Sequence, residues 1–280
     1  MNMKLINYFK KYLPLLMATS VLFIAMLINR NLIKPPIVIT KQEAAWNLND
    51  KMLQNFHLGF KRLESSFLWI CTIIESDVDH YKQKDLNSWM FRRFNSISIL
   101  DPLFYENYSF GGTYLSIVKD DLSGASIIYN RGLEYYGDDY NLLRDAGFHF
   151  YFEAVDYKRA YEVYTKLKNN PKATPGIIST LARLEKSQGN TEAAFTLLFN
   201  KYSQIPDKTT MLAQKIHQHL YAMKAEIDLT CLNSPKDNPG NCARYDFNET
   251  LYINKNGTYI AASAWKPFKI KLKFQKDSSK

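Results

Sequence analysis

Apolar, aromatic and small residues recur along the middle of this chain at a fixed interval. In steps of 35, Met90, Ala125 and Ala160 form one series, and Phe94, Tyr129 and Tyr164 a second. Ile97, Gly132 and Leu167 form a third, and Pro102, Gly137 and Pro171 close each unit, the last one residue early. Within a unit, offsets of +4 and +7 place these residues on one helical stripe, and the proline or glycine then ends the helix. A period of this size marks a repeat array made from one supersecondary unit.

The same patterning predicts the elements. A first helix starts near Thr40. A second covers about 57–75, with Leu63, Phe67, Ile70 and Ile74 on one face, and a third covers about 85–100 and ends at Asp101-Pro102. Helices then pair as 104–117 with 122–135, 139–153 with 157–168, and 175–187 with 191–201. A long helix over 207–229 carries Leu212, Ile216, Leu220 and Met223 as its apolar stripe. Beyond it, Thr250–Ile253 and Thr258–Ala262 flank Asn254-Lys255-Asn256-Gly257, a β-hairpin with an Asn-Gly turn signal. Lys269-Ile270-Lys271-Leu272-Lys273-Phe274 alternates charge with apolar residues, as a strand with a basic outer face does. That lysine row protects a sheet edge, or meets acidic lipid or a polyanion.

Within this frame Leu142–Leu167 resembles a tetratricopeptide repeat. Gly147 is the small residue at the helix crossing, Asp156-Tyr157 opens the second helix, and Ala160 and Tyr164 follow. Gly189–Ala194 with Leu198, and more loosely Gly111-Gly112 with Ala125 and Tyr129, resemble the same pattern; Leu100-Asp101-Pro102 resembles the repeat ending. The likeness covers roughly 57–201, about half the chain. It departs at Gly132 and Leu167, where alanine is usual, and in one extra residue in the turn of the first two clear units. Phe56–Phe60, Ser66–Ile70, Leu100–Phe104 and Tyr108–Gly112 also resemble small membrane-anchored bacterial repeat proteins of unknown role. The resemblance implies a mainly α fold, an αα-hairpin solenoid whose inner helices line a concave surface for a protein or peptide partner. Tyr105, Tyr108, Tyr114, Phe148, His149 and Tyr151 fall on those inner helices, where they either face the partner or fill the core.

Charge placement changes the picture at the ends. The 280-residue chain carries a net charge of +9. Residues 1–41 hold six Lys/Arg and no acid, and 265–280 hold six Lys and one Asp, so the body between is near neutral. A nucleic-acid footprint would put the basic stripe on the folded face, so none is expected. Lys4, Lys10 and Lys11 precede an apolar run from Tyr12 to Ile28, long enough for about 25 Å of helix. Without a small-x-small cleavage site, the run reads as an uncleaved transmembrane signal anchor over 1–34; a cleaved signal and a buried soluble helix are the alternatives. The lysines before it keep the N-terminus in the cytoplasm, leaving the body outside, on the periplasmic side of a bacterial inner membrane. Residues 35–56 are then linker and first helix, 57–229 the repeat domain, and 230–280 a loop and β appendage with a basic tail.

Cysteine usage fits an exported body. Cys231 and Cys242 bracket a Pro/Gly/Asn loop and read as a structural disulfide, worth about 3 kcal/mol in the chain-entropy model; Cys71 reads as a buried thiol. A zinc site lacks further ligands nearby. Catalytic chemistry is thin: His217 and His219 face different sides of one helix, and Asp77, Asp79 and His80 occupy a polar turn. Asp120-Asp121 and Asp138-Asp139 lie where acids favour helix starts. Three glycosylation sequons begin at Asn107, Asn248 and Asn256. No cofactor, metal or catalytic residue is expected. The chain reads as a membrane-anchored interaction or scaffold protein of an envelope assembly; an extracytoplasmic enzyme acting on cell-wall polymer and a cytoplasmic adaptor are the alternatives.

Overall fold

The computed structural model describes residues 13, 17–27, 30, 41–42, 50–57, 59–81, 88–234 and 242–270. The chain divides into two compact units, Met1–Ala44 and Ala45–Lys280. In the first, residues 17–27 are helical, and Met17, Val21, Leu22, Phe23 and Met26 are each more than 60% exposed. No helix among the described residues is long and apolar enough to cross a membrane. Part of the expected 12–28 anchor lies outside the described residues.

The second unit is mainly helical with a small antiparallel sheet. Its helices are α1 (Asp50–Phe56), α2 (Lys61–Ile74), α3 (Trp89–Leu100), α4 (Tyr105–Thr113), α5 (Leu122–Tyr135), α6 (Tyr140–Phe148), α7 (Tyr157–Thr165), α8 (Pro175–Ser187), α9 (Thr191–Ser203) and α10 (Met211–Leu232). Side-chain caps set the starts. Ser88, Asp121, Asp139, Asp156, Thr174 and Thr210 each accept from a backbone N–H three residues on, and Pro175 adds a preset φ to the Thr174 cap. Of the aspartates at the inter-helix turns, Asp121, Asp139 and Asp156 are thus helix caps, and Asp120 and Asp138 are not. Neighbours pack as α2 on α3, α4 on α5, α6 on α7, α8 on α9 and α9 on α10, and α4 also meets α6, the equivalent helix one unit on.

The 35-residue register holds at atomic detail. π-helical turns extend α4 through Tyr114–Val118 (π1) and α6 through His149–Glu153 (π2), one unit apart. Lys119 N–H donates to Tyr114 O at 3.0 Å and Ala154 N–H to His149 O at 2.9 Å. The next residue but one closes a wider ring: Asp121 N–H to Leu115 O at 2.9 Å and Asp156 N–H to Phe150 O at 2.8 Å. Asp120 and Val155, between them, share φ 56°. Two expected helices, 104–117 and 139–153, are therefore α-helices that finish as π turns. The extra residue of each unit is taken up there. The following unit lacks it, has no π turn, and turns instead through Gly189 at φ 91°.

Glycines set how closely the helices approach. A Cβ on Gly112 would stand 2.7 Å from the Tyr129 ring, and one on Gly147 would stand 2.3 Å from the Tyr164 ring. Each ring occupies the space where its partner helix has no side chain, and both tyrosines are almost fully buried. Gly111 offers its other neighbour, Phe94, the same space at 3.1 Å, and Gly132 does so for Tyr108 at 2.7 Å. Helical glycine costs about 0.5–1 kcal/mol against alanine, and burying an aromatic ring returns about 1.5–3 kcal/mol. The seat wins.

The N-terminal edge differs from expectation. Leu63, Phe67, Ile70 and Ile74 share one face of α2, as read, but that face is exposed, with Phe60 continuing it. The opposite face packs inward because Trp69 sits against Phe94, Phe104 and Phe110 at 5.3–6.0 Å, with Ser65 and Thr72 buried beside it. Cys71 is only partly buried. Helix α3 starts at Trp89, later than expected, and the start expected near Thr40 lies partly outside the described residues.

At the other end, Cys231 and Cys242 are disulfide-bonded with Cα atoms 5.8 Å apart. Strands β1 (Ile253–Lys255) and β2 (Thr258–Ile260) pair antiparallel in the register Lys255 to Thr258. Asn254 and Lys255 are thus strand residues, and only Asn256 and Gly257, both at positive φ, make the turn. Tyr252 donates to Asp228 of α10 at 2.9 Å, and Phe247 packs on Phe195, Phe199 and His217, so this portion is laced to α9 and α10. Lys269 and Ile270 lie in no strand, and the rest of the expected basic strand lies outside the described residues.

His149 ties two units together. Its Nδ1 lies 2.7 Å from Ser116 Oγ in π1 and its Nε2 2.8 Å from Ser126 Oγ in α5, with 1% of the residue exposed. Burial lowers its pKa to about 4, so the ring is neutral, one nitrogen donating and the other accepting. The unfolded chain protonates near 6.5. Stability from this group is complete above that pH and is lost as pH falls toward about 4. Urea denaturation should show a loss of about 3 kcal/mol over this window, and His149→Gln should remove that part of the pH dependence.

Candidate binding groove

Three elements that are distant in sequence converge on one groove. Helix α6 and π2 contribute Arg144, Phe148, Phe152 and Val155; α8 contributes Thr180 and Arg183; α10 contributes Leu212, Lys215 and His219. Two adjoining cavities of about 420 and 210 Å³ share Phe152, Arg183, Lys215 and His219. The larger is in the size range of small-ligand pockets. A third cavity of about 770 Å³ continues past Arg183 and His219 along the extended segment from Ser263 to Ile270.

The π turn shapes the apolar wall. Four positions apart, Phe148 and Phe152 pack with ring centroids 4.8 Å apart and tilted by 36°, and both residues are more than a third exposed. On the same turn Phe150 and Tyr151 go to the core instead. Val155, which follows at φ 56°, is 43% exposed and lines the smaller cavity. A β-branched residue is strained in this conformation. Its equivalents, Asp120 and Gly189, are residues that accept positive φ more readily.

The groove is cationic. Arg144, Arg183, Lys215, Lys266 and Lys269 line the three cavities, and no aspartate or glutamate does. Arg144 is offset by the adjacent Asp145 at 2.7 Å. Arg183 is different. Its guanidinium lies over the Phe268 ring at 4.6 Å, its Nη1 is 3.4 Å from Ser179 Oγ, and it has no carboxylate partner among the described residues. Burial pushes its pKa down. Phe268, 3% exposed, packs against this guanidinium and against the His219 ring, whose centroid is 4.6 Å from its own.

Most residues expected on the inner surface fill the core. Tyr108 is buried and donates to Pro102 O; Tyr105 donates to Asp139, and Tyr114 to Asp77 O. His149 and Tyr151 are buried, and Phe148 alone of the six presents an exposed ring to the groove. His217 and His219 do face apart, one to Phe247 and the other to Phe268. Asp77 pairs with Lys119, while Asp79 and His80 are exposed. Asn107 is buried and donates to Phe94 O, which takes its sequon out of reach of a glycosylating enzyme in the folded chain. No group of three potential metal ligands occurs among the described residues. Phe152, Val155, Arg183 and Lys215 are not singled out by sequence, and Arg183 lies on the Ser179 face of α8, off the apolar stripe of Ile177, Leu181 and Leu184.

No protein family, curated protein or solved structure matches this chain.

The strain at Val155 has a measurable consequence. Val155→Asn relieves an unfavourable φ and should raise stability by about 1 kcal/mol in chemical denaturation. A loss of stability would show that the valine side chain contributes more at the groove edge than its backbone costs.

Proposed function

We propose that this chain is a membrane-anchored interaction protein: a platform of tetratricopeptide-like helical hairpins, outside the cytoplasm, that holds a protein partner in an envelope assembly. The observation that carries the reading is the groove bounded by π2, α8 and α10, where exposed Phe148, Phe152 and Leu212 adjoin cations with no carboxylate among the lining residues. Apolar surface rimmed by polar groups is the usual form of a docking site. The hairpin register and the glycine seats support a tetratricopeptide-like architecture, and repeat platforms of that kind bind partners along one face. The Cys231–Cys242 disulfide fits an oxidising compartment. The exposed apolar helix at 17–27 supports an anchor.

A photocrosslinking amino acid at position 152 tests this directly in native membranes. The reading predicts one discrete adduct that recurs between preparations and disappears when Lys215→Glu is added. Absence of any adduct above background, or an adduct indifferent to Lys215, would count against it.

A further inference from the structure

Two cavities lie one unit apart, one lined by α5, α6 and α7 and the other by the turn after α7, α8 and α9. Their floors are equivalent and buried: Leu143 with Val163 in the first, Ile178 with Leu197 in the second. Charged side chains span the first. Arg159 Nε donates to Asn130 Oδ1 at 2.8 Å, Arg159 Nη1 pairs with Glu162 at 2.6 Å, and Lys166 Nζ donates to Gly137 O at 3.1 Å. The repeat register puts Ala193, Thr196 and Asn200 at the positions of Arg159, Glu162 and Lys166, each 34 residues on, as Ala194 is from Ala160. With the spanning side chains shortened, the cavity widens from about 390 to about 700 Å³.

The wider notch also changes its chemistry. Glu134 and Glu162 of the first have no acidic counterpart in the second, which is lined by Lys168 and Lys201 and by no aspartate or glutamate. Thr196 donates to Glu192 O and Asn170 accepts from the Lys172 N–H, whereas the side chains of Lys168, Asn169, Asn200, Lys201 and Gln204 make no hydrogen bond or ion pair among the described residues. A primary amide sets an acceptor beside a pair of donors, which complements the N–H and C=O that an extended peptide turns outward. An anion that only accepts would leave the amide oxygens facing it unpaired. The aliphatic floor suits an aliphatic side chain, and no aromatic ring lines the notch to stack on a sugar. Two lysines without a lining acid attract a carboxylate and repel a basic segment.

We propose that the notch between α9 and the turn after α7 binds an extended segment of a partner protein. The amides of Asn169, Asn200 and Gln204 take its peptide bonds, Ile178 and Leu197 take an aliphatic side chain, and Lys168 and Lys201 take carboxylates. The notch shares no lining residue with the groove of π2, α8 and α10, so it is a second surface that stands on its own evidence.

Fluorescence anisotropy on the full chain in detergent micelles tests it with three labelled peptides of equal length. The first alternates Leu with Glu, and the second replaces each Glu by Lys. The third keeps the first sequence with its peptide nitrogens methylated, which removes the N–H donors. The first should bind, more weakly as salt rises, and the other two should not. Lys201→Glu should weaken it about tenfold, the effect of one charge-assisted contact. Ala193→Arg with Thr196→Glu and Asn200→Lys rebuilds the spanned notch of the preceding unit and should abolish binding, while Lys215→Glu in the groove should leave binding unchanged. Circular dichroism establishes that each variant is folded, and Lys201→Glu alone carries the test if the triple variant is not. Equal binding of the second or third peptide, no binding of any, or indifference to Lys201→Glu or to the folded triple variant would overturn the proposal. So would loss of binding with Lys215→Glu, or an acidic sugar oligomer that binds in the peptide's place. None of these outcomes touches the crosslink at position 152, so the two readings fail separately.

Discussion

A tyrosine ring laid on a glycine, once per unit, is the contact on which the rest of this structure depends. Tyr129 on Gly112 and Tyr164 on Gly147 bring two helices close enough that any side chain at the glycine would overlap the ring. The contact fixes how α4 meets α5 and how α6 meets α7. It also constrains the turn between them, because α4 and α6 must end where α5 and α7 can bring their tyrosines back. In both units the chain solves this by widening the last turn into a π-helix and reversing at a positive φ. The next unit keeps the small residue and loses the ring: Ala182, eight residues after its cap as Gly147 is after Asp139, is buried, Leu198 stands in place of the tyrosine, and the π turn is gone.

The π turn links this packing to the surface. It places Phe150 and Tyr151 in the core and Phe148 and Phe152 on the groove wall. It also puts His149 where it joins Ser116 and Ser126 of the preceding unit. A neutral, doubly bonded imidazole there stiffens the junction between units without bringing a buried charge. The groove wall is thereby tied to the preceding unit on one side, while Arg183 and Lys215 come from α8 and α10, which are held by the Lys186–Glu226 ion pair and, at Tyr221, by the C-terminal segment. Preorganised apolar surface with charges at its rim lowers the ordering cost of binding.

Much of the architecture was legible in the sequence because its causes are local. Asp121 and Thr174 cap α5 and α8 at the expected residues, and Asn256-Gly257 turns the hairpin. The spacing of Cys231 and Cys242 around a loop marked the disulfide. What escaped is tertiary. One extra residue per unit was visible, but whether it enters a loop or a π turn depends on where Tyr129 and Tyr164 must land. The α2 stripe was read correctly as a stripe, yet Trp69 among Phe94, Phe104 and Phe110 turned the other face inward. The groove was not legible at all, since Phe152, Arg183 and Lys215 belong to three helical elements and meet only after folding.

The seat of Tyr164 on Gly147 sets how α6 meets α7, and a double-mutant cycle between the two residues measures it. Gly147→Ala alone should destabilise the chain by about 1–3 kcal/mol through overpacking, against the usual gain from alanine in a helix. With Tyr164→Leu in place the ring is gone, and the same alanine should cost nothing or stabilise, giving a coupling of about 1–3 kcal/mol. Additive effects, within about 0.5 kcal/mol, would show that the ring does not rest on the glycine and would contradict the account.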